Sequence, residues 1–62
     1  MNETQSLPED RRREIFLTLV QAQDGGTAVA QSREATARQY GVTPQIVKAV
    51  EREGLDSGWP PL

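Results

Sequence analysis

The chain has 62 residues, of which 7 are basic and 9 acidic, and it contains neither cysteine nor histidine. This composition excludes disulfides, the common zinc sites and the usual general base of enzymes. A chain this short buries only about 60% of the surface that it exposes when unfolded. We therefore expect one small domain that is held together by helix packing. The formal net charge of −2 weighs against a nucleic-acid partner, although the position of the basic residues matters more than the total.

The N-terminal end is polar over residues 1–5, which predicts a flexible segment ahead of a single domain over residues 6–62. No apolar run approaches the roughly 20 residues that a membrane span needs. The first residues also lack the basic and apolar regions of a secretory signal. We therefore expect a cytoplasmic protein with no membrane-bound part.

A first helix is predicted over about residues 7–23. Ser6 is placed to cap it, and Pro8 lies in the first turn, where its missing N–H costs little. Gly25 and Gly26 favour a helix end because glycine readily adopts the left-handed conformation. The apolar residues share one face of this helix, and they are Ile15, Phe16, Leu19 and Val20.

A second, shorter helix is predicted over residues 33–40, with Ser32 as its N-cap and Gly41 at its end. Residues 27–31 fit either a continuation into this helix or an irregular connector. In both cases we expect Val29 to point inward.

A third helix is predicted over residues 44–53. Thr43 is its expected cap and Pro44 its first residue, a position that proline favours. Gly54 is the expected left-handed cap, after which Leu55 would fold back onto the last turn.

The tail over residues 55–62 is predicted to be non-helical because Pro60 and Pro61 are adjacent. We expect Trp59 and Leu62 to cover apolar surface of the first and third helices. The alternative is that the tail is a short proline-rich ligand for another protein.

The second and third helices, joined by a tight glycine turn, indicate a helix-turn-helix. That geometry needs a small residue where the helices cross and a residue with positive φ in the turn. It also needs an apolar residue that fills the space between the two helices after the turn, and apolar residues on the inner face of the second helix. Five residues meet these needs in register: Ala37, Gly41, Val42, Val47 and Val50. The sequence thus predicts an all-α three-helix bundle with a helix-turn-helix and a packed tail.

The stretch over residues 33–52 resembles the helix-turn-helix of bacterial DNA-binding domains, especially trihelical ones such as the fourth region of sigma factors, resolvases and homeodomain-like domains. Thr36 stands where these families usually have Ile or Leu. The resemblance implies a transcriptional regulator whose third helix enters the major groove of double-stranded DNA. It implies base reading by Thr43, Gln45, Lys48 and Arg52, beside Pro44 and Ala49. It implies phosphate contacts by Arg33 and Arg38, and Arg12 is a further candidate on the flank.

A second hypothesis is a protein-interaction module on the same scaffold, with no direct DNA contact. An exposed apolar face around Ile46 and Ala49 would favour it, although Ile46 fits equally well in the core. Glu51 and Glu53 lie near the basic residues and would repel phosphate. A partner protein or a homodimer therefore stays open, whereas we expect no metal, cofactor or catalysis because the carboxylates are scattered and the serines lack a nearby base.

Overall fold

The computed structural model describes residues 7–62, so the predictions for residues 1–5 and for the cap at Ser6 lie outside the described part. The chain forms three helices, α1 (Glu9–Asp24), α2 (Val29–Tyr40) and α3 (Pro44–Ser57). Each helix packs against the other two, and residues 7–62 contain no strand. This architecture confirms the predicted all-α three-helix bundle. None of the three helices combines the length and the apolar character that crossing a bilayer requires.

The core lies where the three helices meet. Phe16 is fully buried at its centre, and Trp59 reaches it from the C-terminal tail. The remaining buried apolar residues lie at helical spacing on the inner faces, and they are Ile15, Leu19, Ala37, Val47 and Val50. Every one of these positions follows from the apolar pattern of the sequence.

Helix α2 begins at Val29, so the predicted start at Arg33 with Ser32 as cap is wrong. Ser32 instead lies inside the helix, fully buried, and its hydroxyl donates a hydrogen bond to the Val29 carbonyl at 2.8 Å. That bond satisfies the hydroxyl within its own helix, and the small side chain faces the core. Val29, the first residue of α2, is 49% exposed, so the prediction that it points inward is also wrong.

Helix α3 continues to Ser57, so the predicted end at Glu53 and the predicted cap at Gly54 are also wrong. The left-handed cap lies one turn later, at Gly58, with φ 66° and ψ 39°. Gly54 is needed inside the helix, because a Cβ there would lie 2.3 Å from Cδ1 of Phe16. Leu55 consequently projects into solvent, 57% exposed, instead of folding back.

The tail packs on the core through one of the two predicted residues. The backbone N–H of Trp59 donates to the Gly54 carbonyl at 3.0 Å. The Trp59 ring packs edge to face against the Phe16 ring, with centroids 6.1 Å apart. Trp59 is therefore buried, as predicted. Leu62 is 62% exposed, so its predicted role in covering the helices is wrong.

Candidate nucleic-acid interface

The bend between α2 and α3 is centred on Gly41, which adopts the left-handed conformation with φ 68° and ψ 33°. The N–H of the next residue, Val42, donates to the Ala37 carbonyl at 2.9 Å and closes the end of α2. Ala37 is buried, and Val42 packs partly buried against the core. The turn therefore fixes the direction in which α3 leaves α2.

The first turn of α3 is capped by its own sequence. Thr43 has an extended backbone, and its hydroxyl oxygen accepts a hydrogen bond from the Ile46 N–H at 3.2 Å. Pro44 follows as the first helical residue, where its fixed φ suits the helix. Thr43 is exposed, so the structure places it beside the helix start with its hydroxyl engaged in capping.

The outer face of α3 carries Gln45, Lys48 and Arg52, all of them exposed. They point away from Val47 and Val50, which are fully buried on the opposite face. The three side chains line a shallow, open groove of about 430 Å³. This arrangement presents one amide and two cations side by side to solvent.

Three cations in this part of the chain make no ion pair with any other residue between 7 and 62. They are Arg38, Lys48 and Arg52, and each is exposed. Arg38 lies on α2 beside Pro44, at the start of α3. Among residues 7–62, the unpaired positive charge therefore lies on the outer face of α3, at Lys48 and Arg52, and beside the start of that helix, at Arg38.

The other two residues for which phosphate contacts were predicted are engaged in ion pairs. Arg33 of α2 donates to Glu51 of α3 at 2.7 Å, and Arg12 of α1 donates to Glu53 of α3 at 3.0 Å. Both arginine side chains are largely buried, with 29% and 14% exposed. These ion pairs join α3 to both of its neighbours. They also neutralise Glu51 and Glu53, the two glutamates that were predicted to repel phosphate.

Two further residues border the groove without having been predicted there. Leu55 and Asp56 line its C-terminal end because α3 is one turn longer than expected. The sequence did contain a signal for this extension, since Gly58 followed by Trp59 repeats the pattern of Gly54 followed by Leu55. Asp56 makes the C-terminal end of the groove more acidic than its N-terminal end.

Comparisons of the chain with protein-family models, with curated proteins and with solved structures find no significant match. The likeness to helix-turn-helix domains therefore stays a prediction that depends on the residues of the chain itself. A functional proposal can be built on the geometry of the bend at Gly41 and on the exposed cations of α3.

Proposed function

We propose that this protein binds double-stranded DNA through the outer face of α3, as a transcriptional regulator without catalytic activity. One observation carries the proposal. Lys48 and Arg52 share the exposed face of α3 with Gln45 and have no acidic partner between residues 7 and 62, although the whole chain is acidic. Two such cations on one helix face present a local site for phosphate despite the net negative charge of the chain.

The polarity of α3 supports the same proposal. A helix that enters the major groove places its N-terminal residues nearest to the bases. The amide of Gln45 and the charge of Lys48 lie in the N-terminal half of α3, whereas Asp56 lies in its last turn. The positive end of the helix dipole also lies there, which adds to the attraction for DNA.

The exposed side chains match the two tasks of a DNA-binding helix. A glutamine amide pairs bidentately with adenine, and lysine or arginine pairs with guanine. Arg38, beside the start of α3, is placed for a phosphate contact that fixes the helix in the groove. In this proposal Gln45 reads a base, Lys48 and Arg52 read bases or hold phosphates, and Arg38 holds a phosphate.

The protein-interaction alternative depends on an apolar face that is small in this structure. Ile46 packs partly buried against the core, and Ala49 is half-buried. Leu55 is the exposed large apolar side chain of α3, and it stands alone there among charged residues. Single exposed leucines are common on protein surfaces. The cationic face of α3 therefore supports DNA binding more strongly than Leu55 supports binding of a partner protein.

The test measures binding to a labelled duplex of mixed sequence at several salt concentrations, with fluorescence anisotropy as the readout. If Arg38, Lys48 and Arg52 each neutralise one phosphate, we expect a log–log slope of about −2.7 for the affinity against salt. Replacing Lys48 and Arg52 together by alanine should reduce this slope to about −0.9.

The matched control is Arg13→Ala. Arg13 pairs with Glu9 at 3.3 Å and lies over the Trp59 ring, in a pocket bordered by α1 and the tail. This variant removes one positive charge, half the number that the double variant removes, from a different face, and it should leave the slope unchanged. Absence of any binding at about 50 mM salt would overturn the proposal, because non-specific affinity should be measurable there.

A further inference from the structure

The carboxylate of Glu51 is the point at which all three helices are joined by polar contacts. Its Oε1 accepts two hydrogen bonds from Arg33 of α2, at 2.7 Å from Nη2 and 3.2 Å from Nε. Its Oε2 accepts one from Nε2 of Gln23 of α1, at 3.1 Å. Both oxygens are therefore occupied, and the Glu51 side chain is only 16% exposed.

Arg33 and Glu51 also border the groove that Lys48 and Arg52 line. Within α3, Glu51 lies three residues after Lys48 and immediately before Arg52. An unpaired carboxylate at this position would cancel much of the positive potential that the two cations create, because it lies well within the screening length of about 10 Å at 0.1 M salt. The pair with Arg33 removes that opposing charge.

We propose that Arg33 is a positioning residue that masks the charge of Glu51, and that it does not itself hold a phosphate. This inference rests on the proposed DNA binding, and it separates Arg33 from Arg38. Both belong to α2, but Arg38 is exposed and makes no ion pair among residues 7–62, whereas Arg33 is committed to Glu51. With the Arg33–Glu51 pair neutral, the net charge of the groove is positive, because Lys48 and Arg52 outnumber Asp56.

The experiment compares Arg33→Gln, Glu51→Gln and the double variant with the unaltered protein. Glutamine preserves hydrogen bonding and approximate size while it removes each charge. Affinity for the mixed-sequence duplex is measured at about 0.1 M salt, and thermal unfolding of each variant gives the folded fraction for correction. Retention on immobilised heparin, a polyanion that contains no bases, provides a second readout.

If Arg33 masks Glu51, Arg33→Gln weakens binding by roughly eightfold, the effect of one ionic contact at 0.1 M salt. Glu51→Gln strengthens binding because it frees the positive charge of Arg33. The double variant returns to within about twofold of the unaltered protein, since removing both members leaves the charge of the groove unchanged.

A direct phosphate contact gives a different result, in which the double variant binds as weakly as Arg33→Gln; that result overturns the masking role. A purely structural role is also distinguishable, because all three variants would then bind more weakly. If the unaltered protein does not bind DNA, but the variants change retention on heparin in the order expected for masking, the proposed function alone is overturned. Binding to neither duplex nor heparin overturns both.

Discussion

Gly54 of α3 lies directly against the ring of Phe16 of α1. A Cβ at this glycine would be 2.3 Å from Cδ1 and 2.5 Å from Cε1 of the phenylalanine, closer than any real contact. The missing side chain allows α3 to approach α1 at the centre of the core. The same closeness allows Trp59, five residues later, to reach Phe16 from the end of α3.

Gly54→Ala should therefore destabilise the domain even though alanine is the better helix former. Forcing one extra carbon into a packed core costs about 1–3 kcal/mol, and in a domain of this size each kcal/mol lowers the Tm by about 4–8 °C. Thermal unfolding followed by circular dichroism measures the change. Gly25→Ala is the control: φ is −78° and a Cβ would lie 3.5 Å from its nearest neighbours, so stability should stay the same or rise slightly. An unchanged Tm for Gly54→Ala would contradict the close contact.

Gly41 differs from Gly54 because its constraint is conformational and not steric. Nothing lies within 4 Å of a Cβ built there, but φ is +68°. Gly41→Ala should cost about 1–2 kcal/mol for placing a side chain in the left-handed region. Gly41→Asn should cost less, because asparagine tolerates this conformation. Equal Tm values for the alanine variant and the unaltered protein would show that the bend does not need the left-handed turn.

The positions of the helices could be predicted from the sequence only where local signals were unique. Thr43, Pro44 and Gly41 have no competitors nearby, and the bend between α2 and α3 follows the prediction. At the end of α3, by contrast, Gly54 and Gly58 are each followed by an apolar residue, and local pattern favours neither. The choice depends on the contact between Gly54 and Phe16, which lie far apart in the sequence. The prediction for Ser32 failed similarly, because a serine suits a helix cap as well as a buried position inside a helix, where its hydroxyl can bond to a carbonyl of the preceding turn.

The candidate site shows the same division between local and long-range information. Helical spacing alone was enough to place Gln45, Lys48 and Arg52 on one exposed face. It could not separate Arg33 from Arg38, because both are arginines of α2 in the same predicted helix. Only the approach of Glu51 from α3, 18 residues further along the chain, engages one and leaves the other exposed. The pairing of charges is thus a property of the packed helices.

Trp59 should contribute a large share of the stability of the domain. It is 5% exposed and is the one tail residue buried in the core. Trp59→Ala should cost about 3–5 kcal/mol, comparable with the whole stability of a small domain, so that a substantial unfolded fraction appears at room temperature. Leu62→Ala removes an exposed side chain from the same tail and should change the Tm little. If both variants unfold at the same temperature as the unaltered protein, the tail does not pack as described.

Gln45 provides a test of base reading that is separate from phosphate binding. It is exposed and uncharged on the cationic face of α3, so its removal should not alter the salt dependence of binding to mixed-sequence duplex. After selection of a preferred sequence from a random duplex library, Gln45→Ala should lose about 1–3 kcal/mol on that sequence and relax the preference for adenine at one position. Gln39→Ala is the matched control, since it removes an exposed amide from α2. A preference that survives Gln45→Ala intact would assign base reading to Lys48 and Arg52, and would leave Gln45 as an ordinary surface residue.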